Sequence, residues 1–373
     1  MIEINKNIKK ARTLPSKFYL ETHFFNQSKN IFRNSIQPIC SIHELENISL
    51  YPVEYFPDYL NENLVVTKKD KTFQCISNVC THRGHLLTEC TSNTSVLKCR
   101  YHGRTFGLDG KLKKAPGFDD ALDFPIDRDH LKPASIYDWN GFLFLSLSES
   151  EKVFETLTQI DEVLPKFPYK DLCKKPLKSE YEIDCHWALY CDNYLEGFHI
   201  PYVHKGLNSD MDWKKYETYI LNEIVLQTAI SKDSRNIISY DEKNKMYAYY
   251  FFIFPNIMLN YYNWGLSINI IEPIAKEKTR VKYMIYNLKN HSVPSNSSSS
   301  VDKVELDVSD IGIGVSNYIY EVKLNEEKRK IKVLKEGYLQ QFLNDFRRVM
   351  RYDRNTQYIN QKLIGTENTR IIE

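Results

Sequence analysis

The chain has 373 residues, 42% hydrophobic and 13% aromatic with 26 Tyr and 19 Phe, and its 50 Lys plus Arg nearly balance 48 Asp plus Glu, leaving a formal charge of +2. That length exceeds one ordinary domain, and that composition belongs to a folded globular protein. A net charge so near zero excludes a broad field for nucleic acid or an anionic membrane, and the longest apolar stretch, Tyr247 to Phe254, ends at Pro255, far short of the ~20 residues of a membrane helix.

The opening stretch, MIEINKNIKKARTLP, has neither an apolar core nor a small-residue cleavage site, so a cytoplasmic enzyme is expected. The eight cysteines are unevenly spaced and predict thiols or metal ligands, not a disulfide framework. Residues 1–35 read as an amino-terminal segment, 36–149 as a small all-β domain and 150–373 as a larger domain. In the β domain, Asn63 to Thr67 and Thr72 to Val79 alternate around a Lys-Lys-Asp-Lys turn. Asp109-Gly110 marks a hairpin between Thr105-Phe106 and Leu112. Pro116-Gly117 breaks the chain, and Trp139 to Leu147 returns as one apolar strand.

Beyond the boundary near Glu149, Glu151 to Leu164 has the spacing of an amphipathic helix, and Pro165, Pro168 and Pro176 mark a connection. Trp187 to Phe198 reads as helix. Tyr216 to Ile230, Met246 to Phe254, Ile257 to Tyr262, Leu266 to Ile271 and Thr279 to Leu288 read as strands of one antiparallel sheet. Pro294 to Ser300 is a polar loop, and Tyr318 to Tyr352 is charge-rich and helical. The overall class is α+β.

Two constellations carry chemistry. Cys80-Thr-His82-Arg-Gly84 and Cys99-Arg-Tyr-His102-Gly103 each pair a thiolate donor with an imidazole donor in a loop ending at Gly. A [2Fe-2S] cluster with two Cys on one iron and two His on the other needs this set. A structural zinc site is the alternative, but zinc fingers place both Cys before both His, whereas here they alternate. His85 lies outside the pattern and is expected to be a loop residue. Cys75 and Cys90 have no paired His and are expected to be buried thiols. Further on, Cys191 to His204 reads CDNYLEGFHIPYVH, with His199 and His204 five positions apart, a poor match to one helix face. Pro201 would turn the chain so that both imidazoles converge, and one carboxylate from elsewhere would complete a two-His, one-carboxylate triad with open positions. Satisfied surface or core histidines are the alternative for this stretch.

With both constellations in this order, the chain resembles the alpha subunits of Rieske-type ring-hydroxylating and related non-haem iron oxygenases, from about Asn30 to Ile285. CTHRG and CRYHGRTF resemble that family's cluster motifs, and NYLEGFHIPYVH resembles its mononuclear iron motif. The resemblance implies a Rieske [2Fe-2S] domain followed by a helix-grip (START-like) catalytic domain holding a mononuclear non-haem Fe(II), and a homotrimer. It implies O₂ as co-substrate and a small-molecule substrate, with no nucleic acid or membrane as partner. Electrons would come from a separate NAD(P)H-dependent flavin/iron-sulfur reductase, since no nucleotide-binding glycine loop appears here. Glu196, where the family often has Asp, is similar to the subgroup of choline, glycine betaine and carnitine monooxygenases. That implies hydroxylation or N-demethylation beside a cationic nitrogen, with dihydroxylation of an aromatic ring as the alternative. The resemblance gives Glu196 the role of electron-transfer bridge between the His102 of one chain and the His199 of the next. For the third iron ligand, Asp307 is the expectation and Asp310 the alternative, because the sequence departs from the family after Val304-Glu305-Leu306-Asp307. A Rieske electron carrier with a non-catalytic second domain, or an inactive scaffold, is the reading from another class.

Overall fold

Asn140-Gly141 is the strongest hairpin signal in the first half of the chain, and it determines how the run from Trp139 is used. The structure, a computed structural model, describes residues 2–5, 14–148, 151–195, 197, 199–221, 224–289, 291 and 369–372. In chain order its helices are α1 Ser16–Leu20, α2 Thr22–Arg33, α3 Glu155–Val163, α4 Trp187–Leu195, α5 Ile200–Val203 and α6 Lys205–Asp210. The strands are β1 Ile2–Asn5, β2 Gln37–Ser41, β3 Leu50–Tyr55, β4 Glu62–Lys69, β5 Thr72–Ser77, β6 Val96–Lys98, β7 Thr105–Gly107, β8 Leu112–Lys114, β9 Pro133–Trp139 and β10 Phe142–Ser146. They continue as β11 Leu177–Ile183, β12 Glu217–Leu221, β13 Ile224–Ile230, β14 Met246–Ile253, β15 Ile257–Tyr262, β16 Gly265–Ala275, β17 Lys278–Asn287 and β18 Thr369–Ile372. The chain divides into two units, one of residues 32–158 and one of residues 1–31 with 159–373.

In the unit of residues 32–158, six strands form an antiparallel sheet in the order β2-β10-β9-β5-β4-β3, and β6-β7-β8 form a second, three-stranded one. The single strand expected from Trp139 to Leu147 is instead the turn and second arm of a hairpin. Asn140 (φ 52°) and Gly141 (φ 87°) both take left-handed backbone, and Phe142 pairs with Trp139 across the turn. The turns expected after β4 and β7 are present, at Asp70 (φ 56°) and Gly110 (φ 77°). Leu50, Val65, Ile76, Leu87, Leu97, Phe106 and Leu131 form one apolar core that also takes in Cys80 and Cys99. Cys75 is buried as expected, but Cys90 is exposed. It sits in an irregular stretch after Leu87 where no strand alternation turns side chains inward.

The second unit is built on a seven-stranded antiparallel sheet in the order β11-β17-β16-β15-β14-β13-β12. Here Tyr216 to Ile230 is not one strand but a hairpin, β12 paired antiparallel with β13 from Glu217↔Thr228 to Leu221↔Ile224. The polar pair Asn222-Glu223 separates the arms in sequence. The inner strands are apolar on both faces because both are covered, so their sequences lose the in-out alternation of a half-solvated sheet. Beneath one face, Phe167 meets Tyr261 edge-on at 4.7 Å and Tyr240 at 5.0 Å. On the other lies α4, whose helical pattern ends at Leu195 and does not run on to His199. A parallel pair joins β1 and β18. The expected loop at 294–300, the expected helix at 318–352 and both Asp307 and Asp310 lie outside the described residues.

The β15–β16 hairpin closes at Gly265, whose φ of 145° suits only glycine and where an added Cβ would lie 2.2 Å from the Tyr286 carbonyl oxygen. Gly265→Ala is therefore expected to cost roughly 2–4 kcal/mol of stability. Thermal or urea denaturation checks this, and an unchanged midpoint would mean the hairpin tolerates a side chain.

Candidate functional site

The two Cys-His loops fold by one rule. The Cys80 N–H donates to the His85 carbonyl at 2.8 Å, and the Gly84 N–H donates back to the Cys80 carbonyl at 3.0 Å. In the second loop Cys99 donates to Arg104 at 2.8 Å and Gly103 to Cys99 at 3.0 Å, the same two bonds at the same offsets. Each loop reverses at its glycine, Gly84 with φ 70° and Gly103 with φ 75°, a conformation L side chains resist. Cys80 and Cys99 are both 2% exposed and belong to the apolar core, while His82 is half-buried and His102 exposed. The loops thus place two sulfurs inside and two imidazoles at the rim.

The imidazoles of His82 and His102 lie 4.7 Å apart, ring centroid to centroid. His82 Nδ1 is buried without a hydrogen-bond partner among the described residues, a state a buried nitrogen rarely keeps unless something is bound to it. Burial raises the Cys80 thiol pKa, opposed by the His82 backbone N–H and reinforced by the neighbouring Cys99. His82 is held below the ordinary imidazole value, first by desolvation and then by Arg104, His102 and Arg83. Arg104, buried beside the motif, donates to Thr81 Oγ1 at 3.1 Å, pairs with Asp129 at 3.6 Å and lies over the Phe118 ring at 4.8 Å. Thr81 in turn donates to the Asp129 carbonyl at 2.9 Å, so one cation ties the first loop to the stretch before β9. His85 is exposed, with its Nδ1 2.6 Å from the Leu86 carbonyl, and stays outside the His pair.

The second constellation sits where helix gives way to two short turns. His199 precedes α5 and His204 falls between α5 and α6, with Pro201 in the first turn of α5. The break brings the two rings to 4.9 Å, nearly perpendicular at 76°. Gly197 anchors this segment. Its carbonyl accepts from Trp213 Nε1 at 2.7 Å, and a Cβ there would meet the Tyr216 ring at 2.8 Å, so only glycine lets that ring close in. Ile200, directly after His199, packs on Met211, Ala229, Ala248 and Tyr250, with Tyr194, Tyr216 and Tyr262 around them. The donor segment therefore rests on a tyrosine-rich part of the sheet, which the sequence reading left as ordinary strand. Glu196, Asp307 and Asp310 lie outside the described residues. Among those described, no three His, Cys, Asp or Glu side chains converge on one metal point; both constellations present donors in pairs.

The start of α4 is held by a buried neutral histidine. His186 Nδ1 accepts from the Ala188 N–H at 3.2 Å, and Phe18, Tyr19 and Phe25 surround its ring at 5.6 to 5.9 Å. Farther along α4, the Tyr19 hydroxyl donates to Asp192 Oδ2 at 2.8 Å, joining α1 to the helix that leads to His199.

These sites can be set beside known proteins. The Rieske [2Fe-2S] domain family matches residues 35–125, and the ring hydroxylating alpha subunit (catalytic domain) family matches residues 173–310. Chloroplastic choline monooxygenase of Arabidopsis thaliana is 26% identical over 295 residues, covering 74% of this chain and 68% of its own length. The carnitine monooxygenase oxygenase subunit of Escherichia coli (strain K12) is 27% identical over 293 residues, 75% of this chain and 76% of that one. For three plant choline monooxygenases, the chain spans between 57% and 68% of their length. In fold, it is similar to a quaternary ammonium Rieske monooxygenase solved with L-carnitine, with TM-score 0.66, 23% identity and coverage of 83% of this chain and 87% of that one.

Burial lowers the His186 pKa to about 3. Such a histidine takes up its proton only in the unfolded chain, so its stabilising effect is complete above the unfolded value of ~6.5 and declines as pH falls towards 3. Below pH 6 the protein should lose about 1 kcal/mol more per pH unit than a His186→Asn variant. Urea denaturation of both proteins at pH 7, 6 and 5 checks it, and parallel pH profiles would remove His186 as the cause.

Proposed function

Since the chain belongs to the Rieske-type ring-hydroxylating oxygenase alpha subunits, oxidoreductases with a Rieske [2Fe-2S] cluster and a mononuclear non-haem iron, we propose which residues hold these groups and which substrate is oxidised. Cys80, His82, Cys99 and His102 hold the cluster. His199 and His204 hold the iron together with Asp307, or with Asp310 in its place. The substrate is a small quaternary ammonium compound, hydroxylated or N-demethylated. Bound there, the cluster relays single electrons from a separate NAD(P)H-dependent flavin/iron-sulfur reductase, and the iron activates O₂.

The matched loops support the cluster assignment, with two thiols and two imidazoles for two irons and a buried His82 nitrogen that lacks a partner. For the iron, the facing rings of His199 and His204 supply two of the three donors of a facial triad. The family match runs to residue 310, so Asp307 and Asp310 both lie inside it. Exposure of Tyr101 and His102 leaves that rim open to a neighbouring chain, which supports a homotrimer in which Glu196 bridges the His102 of one chain and the His199 of the next. A carboxylate suits that task because it accepts from two imidazoles at once. Free thiols at all eight cysteines agree with a cytoplasmic location.

The observation that carries the substrate reading is the tyrosine surface under Ile200. Ring faces hold a methylated cation by ~0.5–2 kcal/mol per contact without hydrogen bonds, which a quaternary nitrogen cannot donate. The side chains there exclude water and orient the cation's carbon atoms towards the two histidines.

Anaerobically purified protein should contain about three irons and two labile sulfides per chain. His199→Ala should lose the third iron and abolish product formation while the cluster absorbance stays. With a surrogate reductase, quaternary ammonium compounds should give hydroxylated product or formaldehyde. Zinc without labile sulfide, normal turnover by His199→Ala, or activity confined to neutral arenes would each overturn the corresponding assignment.

A further inference from the structure

Among the described residues, Arg104 is the only lysine or arginine that is buried, at 4% exposure. A guanidinium leaves water only at considerable cost, and it cannot shed its proton to avoid that cost. Its position gives the reason. The Arg104 carbonyl accepts from the Cys99 N–H at 2.8 Å, which closes the second Cys-His loop, and its guanidinium donates to Thr81 Oγ1 at 3.1 Å, between Cys80 and His82 in the first. One residue thus joins both loops, by its main chain on one side and its side chain on the other. The Phe118 ring that lies under the guanidinium at 4.8 Å also meets the His82 ring edge-on at 5.8 Å, and Phe124 adds a second ring at 5.3 Å.

The positive charge is incompletely answered by these neighbours. Asp129 Oδ1 lies 3.6 Å from Nη1, an ion pair too long for a hydrogen bond, and the other Asp129 oxygen accepts from the Ile126 N–H at 3.0 Å. The Arg104 Nε is buried with no hydrogen-bond partner among the described residues. Thr81 is a neutral acceptor, and aromatic rings attract a cation without cancelling its charge. Cys80 and Cys99, each 2% exposed, become thiolates when they bind iron. In a cluster with two Cys and two His ligands, two thiolates and two sulfides balance two ferric ions, so the electron taken up on reduction leaves one net negative charge. A fixed cation nearby favours that reduced form.

We infer that Arg104 positions the two Cys-His loops against each other and, as the fixed cation beside them, raises the reduction potential of the cluster they hold, with Asp129 limiting the rise. This rests on the cluster assignment above and adds to it a residue that binds neither iron. A higher potential draws electrons more strongly onto the cluster.

Redox titration of the cluster-loaded full chain at one fixed pH, followed by the visible absorbance of the cluster, tests it. Arg104→Gln removes the charge and should lower the ratio of reduced to oxidised cluster at a given potential about tenfold, a fall of ~59 mV for one electron. Arg104→Lys keeps the charge and should stay near the wild type. Asp129→Asn removes the counter-charge while keeping an acceptor for the Ile126 N–H, and should move the midpoint upward, a shift of opposite sign that a purely structural role for the pair would not give. If Arg104→Gln holds no cluster, Asp129→Asn alone decides. A wild-type midpoint in Arg104→Gln, an equal fall in Arg104→Lys, or an unchanged or lowered midpoint in Asp129→Asn overturns this inference and leaves the cluster assignment standing. If the wild type itself forms no [2Fe-2S] cluster, that assignment falls and this inference with it.

Discussion

Every described donor to the two candidate centres sits on backbone that is neither helix nor strand, and such backbone can stay buried only if its own polar groups are paired. That requirement shapes the rest. In the smaller unit it is met by two bonds per loop, from each cysteine N–H to the carbonyl five residues on and from the glycine N–H back to the cysteine carbonyl. In the larger unit it is met by Trp213, whose indole nitrogen takes the Gly197 carbonyl where the helical ladder has stopped. The candidate donor side chains are thus oriented by hydrogen bonds to the main chain and need no covalent tether.

Around both centres, buried charge is handled by neutralisation or by close pairing. Arg104 is paired with Asp129, donates to a threonine hydroxyl and lies over the ring of Phe118. His186, with no such company, remains neutral in an aromatic cage. Tyr19 takes the third course, donating its proton to Asp192 as a hydrogen bond without giving it up, while burial, with the nearby carboxylate adding to it, drives the tyrosine pKa well above its usual value. The amino-terminal helix is in this way fastened to the helix that leads into the histidine pair.

Between the two candidate centres the division of labour follows burial. The two Cys-His loops keep their sulfurs in an apolar core and their imidazoles towards the surface. In the His199–His204 segment His204 is buried and Ile200 packs inward over tyrosines, while Tyr202 faces out.

The two donor motifs, the hairpins at Asp70 and Gly110 and most strands of the large sheet were legible in the sequence, because each depends on residues a few positions apart. Cys80, His82, Cys99 and His102 stand out by spacing, and the loops that carry them close by local hydrogen bonds. Where competing local signals had to be ranked, pattern alone misled. Asn140-Gly141 turns the run from Trp139 into a hairpin, the run from Tyr216 to Ile230 pairs with itself as two strands, and Cys90 faces water for want of a strand to turn it inward. The family and the donor residue types were therefore set by the sequence itself. Only the tertiary structure could show that Gln227, Tyr250 and Asn260 line up beneath α4, that Tyr19 reaches Asp192, and that Gly197 must yield space to Tyr216. Those relations join residues far apart along the chain, and strand register and helix docking, which no local spacing encodes, bring them together.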